Sequence, residues 1–479
     1  MNLAKQIEAK VALDPQVKNK LKIPNSIFRA YDIRGKYPSE INKDIFFLLG
    51  QTIGTKVKHS KTGPICVCMD GRLSSDELKN SLINGLLLTG NNVIDIGMLP
   101  TPLLYFSLNH LKIANGLMIT GSHNPKNYNG VKIVLDNKTL FGNHIAEIYT
   151  GMSKNIVIKD VQKGILKKEN NILDSYIKNI KSNIKIISNL KIIIDCGNGV
   201  TGKVIKKIFD SINIQAEVIN EEVDGEFPNH PPDPTDIKNL VQLKNKMKER
   251  NADIGFAYDG DGDRVIVIDK SLEVIWPDQL LMIFSKIILE NKPGSKIVYD
   301  IKCSKHLENT IIENGGIPIL SKTGHSFIKE SIIKNGATLG GEMSGHIFFN
   351  DKWYGFDDGI YSSIRLLEIF SSYNKMQSMI NSLPKSATTP EINIEFEDNN
   401  HFTFMDLFVK LTKFKGAEII NIDGIKIIYS FGWGLIRCSN TSSNLVLRFE
   451  ADDEKSLNKI KTIMKNAMLK IDKNLNIPF

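Results

Sequence analysis

One pattern recurs three times along the chain and constrains its fold more than any single residue does. Ile65-Cys66-Val67-Cys68-Met69 reads as a buried strand, Asp70-Gly71-Arg72 as a turn, and Leu78, Leu82, Ile83, Leu86 and Leu87 as the apolar face of a helix, before a Gly-Asn-Asn turn and a strand over 93–96. The order returns as a strand over 191–194, the turn Asp195-Cys196-Gly197-Asn198-Gly199, a helix carrying Val204, Ile205, Ile208 and Phe209, and a strand over 217–219. It returns again as a strand over 296–299, Asp300-Ile301-Lys302, a helix with Leu307, Ile311 and Ile312, the turn Gly315-Gly316, and a strand over 317–320. Strand, turn opening a helix, turn and strand make a βαβ-type unit, so the chain is expected to be α/β, with loops gathered at strand ends around a crevice.

From about residue 384 the pattern changes. Segments 391–396, 425–429, 434–438 and 445–449 read as short strands, closed by a helix over 454–471. A strand-rich α+β module is the expectation there. A length of 479 residues suggests about three domains. Residues 7–21 place Ile7, Val11, Leu13, Val17 and Leu21 loosely on one face, as a short amphipathic helix would.

Charge and cysteine usage narrow the function. The net charge of +8 arises from 61 basic and 53 acidic residues spread along the chain, which suits anionic small substrates as well as it suits nucleic acid. No basic run with interleaved aromatics is present, so no nucleic-acid partner is expected. Cys66, Cys68, Cys196, Cys303 and Cys438 lack metal-type spacing and read as reduced core thiols of a cytoplasmic protein. The first residues form no apolar signal segment, and no run of about 18 apolar residues occurs, so neither secretion nor a membrane partner is expected.

Chemistry concentrates on a few glycine-rich loops. Ile119-Thr120-Gly121-Ser122-His123-Asn124-Pro125 joins an apolar strand over 116–119 to another over 130–135, which would leave Ser122 exposed where a nucleophile or phosphate acceptor sits. The same letters are equally compatible with a polar turn. A serine-hydrolase reading is poor, because no G-x-S-x-G elbow is present and an adjacent histidine seldom points its ring at the preceding hydroxyl. Asp259-Gly260-Asp261-Gly262-Asp263-Arg264 places carboxylates at alternate positions between two apolar strands, where they can converge on one hard cation. Arg264 and Lys270 occupy the glycine and carboxylate positions of a calcium loop, which excludes an EF-hand, and a metal-free surface turn is the remaining alternative. Few ligands on a short loop suit magnesium.

Other segments are weaker. Arg34 beside Gly35 could meet an anion, although a solvated surface arginine is the plainer reading of that segment alone. Lys322-Thr323-Gly324-His325-Ser326 and Gly341-Glu342-Met343-Ser344-Gly345-His346 are polar loops after apolar strands. Glu342 and Ser344 offer an acceptor and a hydroxyl to a polyol, while on spacing alone His325 and His346 read as structural. Arg437-Cys438-Ser439-Asn440-Thr441 is a phosphate cradle or an ordinary hairpin turn.

Taken in order, four of these stretches resemble the α-D-phosphohexomutase family, most closely its bacterial phosphomannomutase/phosphoglucomutase branch. Residues 120–125 match its phosphoserine loop, 259–264 its magnesium loop, 341–346 its sugar-recognition loop and 437–441 its phosphate-binding loop. The resemblance runs from about Phe28 to the C-terminus. It implies three related α/β domains and a C-terminal α+β, TATA-binding-protein-like domain around one central cleft. The expected divisions are 1–167 for the phosphoserine loop, 168–273 for magnesium, 274–385 for sugar recognition and 386–479 for phosphate.

The same resemblance implies reversible phosphoryl transfer between C1 and C6 of mannose and glucose phosphates, through a phosphoserine and a hexose 1,6-bisphosphate. Ser122 would carry the phosphoryl group, with His123, Arg34 and Arg264 beside it and Lys132 and His346 as acid and base. Mg2+ would be held by Asp259, Asp261, Asp263 and Ser122. Tyr31, Lys302, His325, Glu342 and Ser344 would contact the sugar, and Arg437, Ser439, Asn440 and Thr441 its phosphate. Hexose monophosphates are the expected partners of a monomer or weak dimer. One departure stands out: the family's phosphate loop usually has proline where this chain has Ser443, which implies a looser loop with its donors retained. A phosphoglucosamine mutase is disfavoured by Met343, since that branch resembles Glu-Gln-Ser there. A non-catalytic sugar-phosphate sensor has no need of Ser122 with all three aspartates.

Overall fold

A computed structural model describes residues 22–158, 162–186, 189–397, 400–439 and 443–479. The amphipathic helix expected over 7–21, and Asn440 and Thr441, lie outside the described residues. The chain divides into two compact units, one formed by residues up to Pro277 with Ser344–Met376, the other by Asp278–Met343 with Gln377–Phe479.

The first unit carries two mixed sheets. Strands β1 (Ile33–Lys36), β2 (Ile65–Met69), β3 (Val93–Met98), β4 (Asn115–Ile119), β5 (Tyr128–Leu135), β6 (Lys138–Thr139) and β7 (Leu166–Lys168) form one, in the order β1-β5-β4-β2-β3-β7 with β6 on β5. β2 runs parallel to β3 and β4, as the βαβ pattern requires, whereas β5 folds back antiparallel on β4. That reversal puts the serine loop at the end of β4 and Lys132 opposite Met118. The helix Lys43–Ser60 begins where the Asn42 side chain accepts from the backbone N–H groups of Asp44 and Ile45, both at 3.1 Å. Ile45, Leu49 and Ile53 from it enter one core with Leu78, Leu82 and Leu86 of the helix Ser75–Leu88 and with Val67, Leu117 and Ile133 from the sheet. Each such side chain removed from water contributes about 1.5–3 kcal/mol.

The second sheet, β8 (Ile192–Asp195), β9 (Ala216–Ile219), β10 (Ile254–Tyr258), β11 (Val265–Asp269) and β12 (Val274–Ile275), has the order β12-β11-β10-β8-β9. β10 is parallel to β8 and antiparallel to β11, so the aspartate loop is the tight connection of a hairpin at a strand end.

The second unit repeats the parallel arrangement in β13 (Lys296–Asp300), β14 (Ile317–Ser321) and β15 (Leu339–Gly341), with β13 between the other two. Ser304 caps the helix Lys305–Glu313 by accepting from His306 N at 3.1 Å. The short strand β16 (Ile347–Phe349) belongs to the first unit. Beyond it, β17 (Ala387–Thr388), β18 (Ile392–Glu395), β19 (Glu418–Ile420), β20 (Ile425–Tyr429), β21 (Gly432–Cys438) and β22 (Asn444–Ala451) build an antiparallel sheet. Phe404 and Phe408 of the helix Asn400–Leu411, and Leu457, Ile460 and Met464 of the helix Glu454–Ile471, share a core with Leu447 and Phe449 of that sheet. This is the α+β module expected at the C-terminal end. All five cysteines are free, and Cys66, Cys68, Cys196 and Cys303 are buried as expected. Among the described residues, no helix is long and apolar enough to cross a membrane.

Candidate active site

The serine loop leaves β4 at Ile119 and turns at once, because Ser122 N donates to Thr120 Oγ1 at 2.8 Å and Ser122 takes a left-handed φ of 48°. Few non-glycine residues adopt that conformation, and where they do the surroundings hold them in it. Its hydroxyl donates to Asp259 Oδ2 at 2.9 Å and lies 3.2 Å from His123 Nδ1. Two expectations are corrected here. Ser122 is not exposed but 1% accessible, since the aspartate loop lies against it: a Cβ at Gly260 would stand 2.5 Å from the Ser122 carbonyl oxygen. The adjacent histidine does reach the hydroxyl, because the left-handed turn folds consecutive side chains to one side. Burial, together with the Arg264 and Arg34 cations, holds His123 well below the usual histidine range.

Asp259, Asp261 and Asp263 are completely buried, which removes the surface-turn alternative. Each offers an oxygen within 4.8 Å of the others. Asp259 Oδ1 accepts from Gly262 N at 3.0 Å and Arg264 N at 3.2 Å. Asp261 Oδ2 accepts from Thr101 Oγ1 at 2.6 Å and from Lys132 Nζ at 2.7 Å, and Lys132 also donates to Asp263 Oδ2. Asp261 Oδ1 has no hydrogen-bond partner among the described residues. An orphaned buried carboxylate oxygen beside two further carboxylates fits a hard divalent cation, which takes oxygen ligands at short range. Lys132 offsets part of the acidic charge and is itself pushed well above the usual lysine range, Asp261 and Asp263 outweighing its burial.

Further residues of the first unit close on this cluster. Arg264 Nε donates to His346 Nε2 at 2.9 Å and lies 3.7 Å from Asp259 Oδ2. His346 Nδ1 stands 3.0 Å from Asp357 Oδ2 and 3.5 Å from Asp263 Oδ1. An arginine only donates, so Nε2 is the acceptor of this pair, and Nδ1 faces Asp357. Arg34 is not a solvated surface residue. It is 4% accessible, on β1, and donates to Asn124 Oδ1 and Asp32 Oδ2. Tyr31 is buried just before β1, and Ser344 is half-buried at the chain's return into this unit.

The second unit gathers the other expected residues. Lys302 Nζ donates to Glu391 Oε1 at 2.5 Å, with Asp300 Oδ2 at 3.9 Å. Those carboxylates outweigh burial and raise the lysine above its ordinary value. Glu342 accepts from the backbone N–H of Gly324, directly before His325, which opens the helix His325–Asn335. Arg437 Nε donates to Asp423 Oδ2 at 2.9 Å, and the same oxygen accepts from Thr323 N at 3.1 Å. Ser439 is buried at the end of β21 and its N–H donates to Asn444 O at 2.8 Å.

Sequence reasoning missed several partners. Thr101, Asp357, Glu391 and Asp423 each hold a candidate residue, and nothing in their local sequence signals it. Arg72 carried a signal, an Asp-Gly-Arg turn straight after a buried strand, but was read only as a turn.

Comparison with known proteins follows the same geography. Models for phosphoglucomutase/phosphomannomutase alpha/beta/alpha domains I, II and III match residues 25–157, 174–272 and 276–387, and the model for the C-terminal domain matches 391–467. The chain is 42% identical over 459 residues to the phosphomannomutase/phosphoglucomutase of Pseudomonas aeruginosa, covering 95% of this chain and 98% of that one. It is 41% identical to the phosphoglucomutase of Neisseria meningitidis, covering 95% and 99%. The crystal structure of a phosphoglucomutase/phosphomannomutase family protein from Burkholderia thailandensis superposes with a TM-score of 0.89 at 38% identity, over 96% of this chain and 100% of that one. With all four domain models matched in order and such identity over nearly the whole length, the chain belongs to the phosphoglucomutase/phosphomannomutase family.

Proposed function

We propose that the protein interconverts the 1-phosphates and 6-phosphates of mannose and glucose through phospho-Ser122 and a hexose 1,6-bisphosphate. The observation that carries this is the Ser122 hydroxyl, 2.9 Å from Asp259 in a fully buried set of three carboxylates. Phospho-Ser122 gives its phosphoryl group to the free hydroxyl of a hexose monophosphate. The bisphosphate reorients, and the Ser122 hydroxyl takes back the other phosphate, so one P–O bond breaks and one forms in each half. Asp259, Asp261 and Asp263, with Ser122, would hold Mg2+, which supplies positive charge where the transferring group carries negative charge.

The remaining roles fall to this chain's own side chains. His346 receives the substrate hydroxyl's proton at Nε2 when Arg264 withdraws, while Asp357 steadies the ring through Nδ1. Lys132 holds a proton close to the leaving oxygen, and His123 stays neutral beside Ser122. Arg264 and Arg34 balance phosphate charge. Lys302, His325 and Glu342 in the second unit, and Tyr31 and Ser344 in the first, are the residues assigned to sugar hydroxyls. In the second unit Arg437 and Ser439 are the described residues assigned to phosphate.

Intact-mass and peptide mapping after incubation with glucose 1,6-bisphosphate should place one phosphate on Ser122. Ser122→Ala should lose that phosphate and almost all turnover. A phosphate mapped elsewhere, or near-full activity in the variant, rejects the reading.

A further inference from the structure

The serine loop is held only in part by its own hydrogen bonds. Within it, two short turns bond Asn124 N to Gly121 O at 3.0 Å and Tyr128 N to Pro125 O at 2.9 Å. The loop's carbonyls instead turn to one buried guanidinium outside it. Arg72 Nη2 donates to Ser122 O at 2.7 Å and Asn124 O at 2.6 Å, and Nη1 donates to Pro125 O at 2.7 Å and Tyr128 O at 2.9 Å. Its Nε lies 3.3 Å from Asp70 Oδ2, and that oxygen accepts from Gly121 N at 3.2 Å. The fit leaves no slack: a Cβ at Gly121 would stand 2.5 Å from Arg72 Cζ. Phe227 closes the other face, its ring centroid 5.1 Å from the guanidinium carbon.

We infer that Arg72 is a positioning residue for phosphoryl transfer, a planar template that fixes the Ser122 loop in one geometry whether or not the serine is phosphorylated. Four carbonyls converge on a rigid fork, and only a guanidinium matches that pattern. The left-handed Ser122 backbone, begun by the Ser122 N–H bond to Thr120 Oγ1, is locked from outside the loop, so its hydroxyl returns to the same place beside Asp259 in every cycle. Misplacement of a reacting atom by about 1 Å costs rate far more than binding.

This inference rests on Ser122 as the phosphoryl carrier, and the test separates the two. Arg72→Met and Arg72→Lys in the full chain are compared with wild type and Ser122→Ala for melting temperature, kcat and KM with glucose 1-phosphate, and Ser122 phosphate after incubation with glucose 1,6-bisphosphate. Both Arg72 variants should lower kcat at least about thirtyfold, with KM within about threefold and slower phosphate uptake. Lysine should not rescue, since one ammonium cannot serve four carbonyls. Folded variants with wild-type kcat overturn the inference while leaving Ser122 in place, and so does a fall in KM performance with kcat intact. A Ser122→Ala protein that still turns over removes the underlying reading instead. Should neither Arg72 variant fold, Phe227→Ala decides, because it frees one face of the guanidinium and leaves every residue of the serine loop unchanged. A fall in kcat beyond threefold at constant KM supports the inference, and unchanged kcat overturns it.

Discussion

Asp259 and Asp261 lie two residues apart on one loop, yet the protein drives them in opposite directions. Desolvation raises both. At Asp259 the Asp261 and Asp263 charges add to it, and the carboxyl is held well above its ordinary range. At Asp261 the Lys132 ammonium and the Thr101 hydroxyl overcome it, and the carboxylate stays ionised far below that range. Asp261, which Lys132 and Thr101 hold ionised, is therefore a residue whose loss should hurt chemistry. Asp261→Asn keeps the size, removes that charge and leaves Lys132 with Asp263 alone. Its kcat for glucose 1-phosphate should fall at least about a hundredfold, or about 2.7 kcal/mol, with KM within about threefold. Exhaustive chelation should silence the wild type and added Mg2+ should restore it. Steady-state kinetics decide: turnover that survives chelation, or a variant with normal kcat, contradicts the metal role. The residue types here were legible in the sequence, because alternating carboxylates on a glycine loop make chemical sense alone. Their partners were not. Thr101 and Lys132 are separated from Asp261 by 160 and 129 positions, and no local pattern carries that information.

At the scale of elements, the helix Gly359–Ile369 shows what a buried charge costs. Asp358 caps it, accepting from Tyr361 N at 2.8 Å, and also accepts from Tyr176 OH at 2.9 Å and Trp353 Nε1 at 3.2 Å. Desolvation nevertheless outweighs these donors and pushes the carboxyl up to about 7. A carboxyl raised above its unfolded value contributes its stability fully below that value and loses it as pH rises through the folded one. Melting temperature should therefore carry a component that declines between about pH 4 and 8, worth at most about 4 kcal/mol. Asparagine caps a helix as well as aspartate does, so Asp358→Asn should flatten that component and melt higher than wild type at pH 8. Melting curves across this range test it, and an unchanged slope in the variant assigns the effect elsewhere. Elements themselves were legible where burial is two-sided: Ile65–Met69, Ile192–Asp195 and Lys296–Asp300 announce themselves as apolar runs. Ile33–Lys36 was not legible as a strand, because Ile-Arg-Gly-Lys has no strand pattern and is held by pairing with Tyr128–Leu135. Leu166–Lys168, exposed at all three residues, is likewise a strand only by its pairing with Val93–Met98.

Across the whole molecule, the candidate groups divide by task. The serine, the carboxylates, Lys132 and His346 belong to the first unit, whereas Lys302, His325, Glu342 and Arg437 belong to the second. Binding energy spent equally on ground and transition states appears in KM, and contacts made only in the transition state appear in kcat. Substitutions in the second unit should therefore move KM, where Asp261→Asn moves kcat. Glu342 sharpens this into a question of sugar choice. Its carboxylate is anchored by the Gly324 N–H and, as proposed, accepts from hydroxyls that mannose and glucose hold in common. The two sugars differ at C2 alone, so wild type should give kcat/KM values for their 1-phosphates within tenfold, about 1.4 kcal/mol. Glu342→Ala should raise KM for both in parallel, by about tenfold or more, because the same contact is lost from each. Glucosamine 1-phosphate, with an amine at C2, serves as the third substrate in the comparison. A wild-type preference well beyond tenfold, or a variant that loses one sugar and keeps the other, would mean that the protein reads C2 directly and works as a single-sugar mutase.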